Sequence, residues 1–209
     1  MHLYVGGSLE AEADGAPVAL DVQTNYPWEG DVAVKVKTAG RFALKLRVPG
    51  WCRGGTVKLN GERLIPEVAD GYLTLDRDWA AGDLVELCFD MPVQLVRANP
   101  RVYEDAGKVA VTRGPLVYCL EEADNTRNLH LARLDGVGPE DFTAQWKPDK
   151  LGGIVELESP GIIETDAGWG EELYSPVKSI EKWPATLTWI PYYSWANRAP
   201  GEMRVWVRI

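Results

Sequence analysis

Apolar and polar side chains alternate along most of this 209-residue chain. Val32, Val34 and Val36 make one such run, Phe42, Leu44, Leu46 and Val48 the next, and Val57 with Leu59 a third. Successive side chains of an extended backbone point to opposite faces, so each run predicts a strand with one face buried. The same pattern predicts strands over Tyr72 to Leu75, Leu84 to Phe89, Val109 to Thr112, Leu116 to Leu120, Ile154 to Leu157, Thr186 to Ile190 and Met203 to Ile209. Turn formers separate them: Ala39-Gly40, Pro49-Gly50, Gly54-Gly55, Asn60-Gly61, Asp70-Gly71, Ala81-Gly82-Asp83, Ala106-Gly107 and Pro200-Gly201. Asn60-Gly61 is the clearest hairpin, because both residues tolerate the positive φ of a type I′ turn. Helical pattern is limited to one turn around Asn128 to Leu134, and no internal repeat is present.

Short strands punctuated in this way predict an all-β, antiparallel, jelly-roll-like sandwich, and the length suits two packed sandwich units. Val96-Arg97-Ala98-Asn99-Pro100 follows a dense block of strands, and Asn-Pro disfavours continued regular structure, which places the units at 1–98 and 99–209. Two stretches, Leu134 to Gly153 and Glu164 to Pro176, read as long loops, and long loops in a β domain invite a functional explanation.

Composition adds a class of ligand. With 45% hydrophobic and 25% charged residues the chain can bury a core. A net charge of −9 and scattered basic residues argue against a nucleic-acid binder, which needs clustered Lys and Arg to neutralise phosphates. A neutral polar ligand such as a sugar fits better, and the nine Trp and eight Tyr are numerous enough to serve both cores and sugar-stacking faces. Cys52, Cys88 and Cys119 form no CxxC pair and read as free thiols; Cys88 and Cys119 lie inside apolar runs, which predicts buried filler. No run reaches the roughly 18 apolar residues of a membrane helix. Met1 to Val5 lacks the features of a signal peptide and reads as a strand already in progress, so a piece of a longer protein is expected, soluble and cytoplasmic rather than secreted.

Candidate chemistry is sparse. Glycoside hydrolysis needs two carboxyl groups, about 5 to 5.5 Å apart in retaining enzymes. Glu29 with Asp31, Glu104 with Asp105, Glu121 with Glu122 and Asp124, and Asp166 with Glu171 and Glu172 are nominal pairs, each read as solvated loop acids. With only His2 and His130, a His-based triad or a His-rich metal site is not expected, and no glycine-rich phosphate loop follows a strand. No catalytic, metal or cofactor-binding residue is therefore assigned. Aromatic density is the remaining signal. Trp189-Ile190-Pro191-Tyr192-Tyr193-Ser194-Trp195-Ala196-Asn197-Arg198 is read as a packed corner with Trp189 facing the core, with sugar stacking as its alternative. Trp169, Tyr174, Tyr192, Tyr193, Trp195, Asn197 and Arg198 are the candidate sugar or interface contacts.

Several segments together resemble a known family. Tyr26-Pro27-Trp28-Glu29-Gly30, Leu46-Arg47-Val48-Pro49-Gly50-Trp51, Gly71-Tyr72, Arg77-Asp78-Trp79, Gly82-Asp83 and Met91-Pro92 are followed by Val111-Thr112-Arg113-Gly114-Pro115-Leu116-Val117-Tyr118, the Ile190 to Arg198 block and Met203-Arg204-Val205-Trp206. In this order they resemble the C-terminal region of glycoside hydrolase family 127, the β-L-arabinofuranosidase type. The resemblance implies an α/α barrel ahead of β-sandwich domains, with a cysteine nucleophile held at a zinc site of cysteines and a glutamate in that barrel. Cys52, Cys88 and Cys119 match none of those residues. The expectation is therefore a noncatalytic region that supports a barrel and contributes to a homodimer. The alternatives are an autonomous module binding an arabinose-containing plant glycan through an aromatic platform, and a small carboxylate-dependent glycosidase.

Overall fold

The structure, a computed structural model, describes residues 1–13, 15–165, 167–176 and 180–209. It divides into two units, Met1–Met91 and Pro92–Ile209. The division precedes the Val96–Pro100 stretch because Val93–Val96 is itself a strand paired to Lys108–Arg113.

The first unit holds β1 (Gly7–Ala13), β2 (Ala16–Thr24), β3 (Asp31–Val36), β4 (Gly40–Arg47), β5 (Gly55–Leu59), β6 (Glu62–Leu64), β7 (Val68–Ala69), β8 (Tyr72–Trp79) and β9 (Leu84–Phe89). Six strands form one sheet in the order β1-β2-β3-β9-β5-β6, and β4-β8-β7 form a second. The predicted alternation is what joins them. Val18, Leu20 and Val22 of β2, Val32, Val34 and Val36 of β3, and Val85, Leu87 and Phe89 of β9 share one buried cluster with Phe42, Leu44 and Leu46 of β4 and Leu73 and Trp79 of β8. Two sheets with apolar faces in a common core make a β-sandwich. Trp79 buries its ring there and donates its indole N–H to the Phe42 carbonyl at 3.0 Å. The Asn60-Gly61 hairpin is present, with φ of 52° and 84°, and the Asn60 amide oxygen accepts the Leu84 N–H at 2.8 Å, tying the turn to β9.

Two expectations fail in this unit. Met1 to Val5 is not a strand: the first begins at Gly7, and the leading residues meet β4 through isolated hydrogen bonds from Met1 to Lys45 and from Arg47 to Met1. Cys88 is exposed rather than buried, because Val85, Leu87 and Phe89 take the inner face of β9 and leave the even positions outward.

The second unit holds β10 (Val93–Val96), β11 (Lys108–Arg113), β12 (Leu116–Glu121), β13 (Ala132–Arg133), β14 (Thr143–Lys147), β15 (Ile154–Glu164), β16 (Lys182–Pro191), β17 (Met203–Arg204) and β18 (Val207–Arg208). Pairing runs in a circuit from β11 through β18, β13, β15, β16 and β12 back to β11. Among the described pairs only β13–β18 is parallel. Val111, Tyr118, Leu120, Leu157, Leu187 and Trp189 are fully or almost fully buried. Tyr118 donates to the Val155 carbonyl at 3.0 Å, and the Trp189 indole to Ser159 Oγ at 3.1 Å, so each polar handle in this core is satisfied. The Asn128 to Leu134 turn is a 3-10 turn at Leu129–Leu131 entered through a left-handed Asn128. The stretch 134–153 is not wholly loop, since β14 pairs with β15 inside it.

Arg133 and Arg208 are register partners on β13 and β18, which places two like charges side by side. Buried Glu164 offsets them, accepting from Arg208 at 2.7 Å and lying 3.3 Å from the Arg133 guanidinium, while Asp135 accepts from Arg133 at 2.6 Å. This cluster ties the two-residue strands β13 and β18 to the end of β15.

Candidate functional site

The densest chemistry lies where β16 ends and the chain turns through 191–198. Pro191 leads into a 3-10 turn, Tyr192–Ser194, closed by Ser194 Oγ donating to the Pro191 carbonyl at 2.7 Å. Ser194 is buried while Tyr192, Tyr193 and Trp195 face solvent. Ala196 then adopts a left-handed φ of 61°, and its N–H donates to Glu121 Oε1 at 3.0 Å. Asn197 donates its amide to the Ser194 and Trp195 carbonyls, at 3.1 and 3.3 Å, which stiffens the turn.

Arg198 points back to the end of β12. Its guanidinium donates to Glu121 and, in a two-pronged arrangement, to Asp124 Oδ1 at 2.7 Å and Oδ2 at 2.6 Å. Lys150 donates to Asp124 at 2.8 Å and also to Glu156, whose other oxygen is 3.5 Å from Lys147. Three cations and three carboxylates thus neutralise one another in a mostly buried network. Asn125 locks the same corner to β16, donating to the Glu121 and Thr188 carbonyls at 2.9 Å each and accepting the Thr188 N–H at 3.0 Å.

The electrostatics are those of a clasp. Burial alone would raise the Asp124 carboxyl pKa, but hydrogen bonds and charge from Arg198 and Lys150 outweigh it and hold the group below the ordinary value. The Asp124 hydrogen bonds likewise push the Arg198 guanidinium upward. A carboxylate held ionised between two cations is a poor proton donor, so Asp124 does not suit the general-acid role that glycoside hydrolysis requires. Cys119, behind this corner, has its thiol pushed up to about 12 by burial, which leaves it inert as a nucleophile near neutral pH.

The other candidate residues lie apart from this network. Trp169 and Tyr174 are exposed in the segment after β15, Tyr174 almost completely. Asp166 lies outside the described residues. Glu29 is held by the Asn25 amide at 2.9 Å, and Glu122 by Arg127 and the Glu202 N–H. Among the described residues, no group of three or more His, Cys, Asp or Glu side chains could hold a metal ion. Among the described residues no helix is long and apolar enough to cross a membrane.

Residues 1–91 match the model of the β-L-arabinofuranosidase GH127 middle domain, and residues 93–208 that of the glycoside hydrolase family 127 C-terminal domain. A non-reducing end β-L-arabinofuranosidase of Bifidobacterium longum subsp. longum is 40% identical over 217 aligned residues, covering 99% of this chain and 32% of that protein. The crystal structure of a GH127 β-L-arabinofuranosidase from Geobacillus stearothermophilus T6 superposes with a TM-score of 0.92 at 43% identity, over 99% of this chain and 33% of that one. A second GH127 β-arabinofuranosidase structure gives 0.89 at 35% identity, over 99% and 34%. The chain thus spans about a third of the length of these relatives. Two β units carrying the middle and C-terminal domain signatures in order place this chain in glycoside hydrolase family 127.

Proposed function

We propose that the chain is the noncatalytic β region of a β-L-arabinofuranosidase-type glycoside hydrolase, supporting a catalytic barrel and contributing to a homodimer. The observation that carries this reading is the tiling of residues 1–91 and 93–208 by middle and C-terminal domain models. The carboxylates of the second unit's corner, spent on one another's cations, are consistent with support rather than turnover. Exposed apolar side chains such as Leu3, Val5, Ile65 and Leu173 supply surface for a partner to cover. In the longer enzyme, deleting the two β units should leave a barrel that aggregates, and light scattering of the 209-residue chain should report a dimer. A soluble, fully active barrel without these units, together with a monomeric chain, would refute the reading.

A second reading is favoured by exposure. Tyr192, Tyr193 and Trp195 on one turn, and Trp169 and Tyr174 on another segment, present aromatic surface to solvent, which supports contact with a glycan.

A further inference from the structure

The second unit carries a groove of about 540 Å³ between the start of β11, β12 and the chain around β17. Its position follows from the strand pattern. Tyr118 points into the core, so its neighbour Val117 faces out; Trp206 lies in the bend between β17 and β18, just before buried Val207. Tyr192, immediately after Tyr118's register partner Pro191, stands beside Val117 in the lining. Met203 and Val205 complete an apolar floor, and Asp105 and Arg204 bring charge to it.

The polar groups there are unspent. Among the described residues the Asp105 carboxylate, the Arg204 guanidinium, the Trp206 indole N–H and the Tyr192 hydroxyl make no hydrogen bond or ion pair. Lys108, by contrast, is used locally, donating to the Glu104 carbonyl at 2.6 Å. In the same unit Arg127, Arg133, Arg198 and Arg208 are each paired with a carboxylate, whereas Arg204 is not. An open concavity with two aromatic rings, an apolar floor, two neutral donors, one carboxylate and one guanidinium matches the surface of a sugar, which is apolar on its C–H faces and polar at its edge. Asp105 and the chain's net charge of −9 disfavour an anion. The groove on the first unit's outer sheet face, about 400 Å³, has no aromatic lining residue and lacks this combination.

We infer that this groove binds a neutral oligosaccharide, with Tyr192 and Trp206 contacting ring faces and Arg204 and Asp105 hydrogen-bonding hydroxyls. The inference deepens the glycan-contact reading above and rests on it. Trp206 and Arg204 are the added contacts, and Asn197 and Arg198 take no part because the turn and the clasp use them.

The test is calorimetric titration of the 209-residue chain with soluble arabino-, xylo- and cello-oligosaccharides. The expected result is saturable binding to at least one series, weakened about tenfold by Tyr192→Ala or Trp206→Ala and severalfold by Arg204→Ala, with Trp183→Ala, outside the groove, unchanged. Arg204 is exposed and unpaired, so its variant keeps the fold should Trp206→Ala fail to. Binding that Trp169→Ala or Trp195→Ala abolishes while the groove variants leave it intact would overturn the groove and keep glycan contact elsewhere. No saturable binding to any series would overturn both.

Discussion

Arg198→Ala should destabilise the second unit by about 3 kcal/mol. The side chains of Arg198, Glu121 and Asp124 are 24%, 3% and 14% exposed, so the pairs lie largely out of water. Removing one member of a buried ion pair costs about 3 to 5 kcal/mol, because the partner stays buried and uncompensated. Here the lower end applies: Lys150 still neutralises Asp124 at 2.8 Å, whereas Glu121 keeps only the Ala196 N–H. For a unit of this size, at roughly 4 °C per kcal/mol, the melting temperature should fall by about 12 °C. Urea titration followed by tryptophan fluorescence, with calorimetry to separate the units, reads the change. The first unit contributes no residue to the network, so its transition should not move. A loss under about 1 kcal/mol, the level of an exposed ion pair, would refute the clasp. So would equal destabilisation by Arg198→Lys, which keeps the charge and loses the two-pronged geometry.

Other outcomes follow from the same structure. The folded-state pKa of Asp124 lies below its ordinary 3.8, so its stabilisation is complete above that value and is lost as pH falls through the folded one; Asp124→Asn should flatten the acid limb of a stability–pH profile. Gly30→Ala should destabilise the first unit by more than about 3 kcal/mol in urea titration, since a Cβ there would lie 1.9 Å from the Phe89 carbonyl oxygen in the backbone of β9. Native thiol titration should modify Cys88 readily and Cys119 only on unfolding. Because hydrogen bonding to Asp31 and burial raise the Cys88 pKa above 9.0, its alkylation rate should keep rising past pH 9.

The fold was legible because its strongest elements obey one rule. Phe42, Leu44 and Leu46, or Val85, Leu87 and Phe89, announce both a strand and the face it buries. Applied strictly, that rule also places Cys88 outward; treating the run as uniformly apolar is what hides it. Strand β1 alternates Ser8, Glu10 and Glu12 with Leu9, Ala11 and Ala13 but buries no face; it is a ladder formed on β2 from Val22 to Ala16. Met1 to Val5 shows alternation without a ladder to join. Trp189 was readable as core from its apolar run, but the clasp was not, since Arg198 meets Glu121 and Asp124 across separations of 77 and 74 residues. The groove is hidden for the same reason, with Asp105, Val117, Tyr192 and Trp206 drawn from four separate segments.

The central claim is that these two β units do not perform the hydrolysis themselves. Incubating the purified 209-residue chain with an aryl β-L-arabinofuranoside, with and without added zinc, tests it most directly. The account predicts aryl release no faster than in buffer under either condition. Catalytic turnover by the chain alone would contradict it.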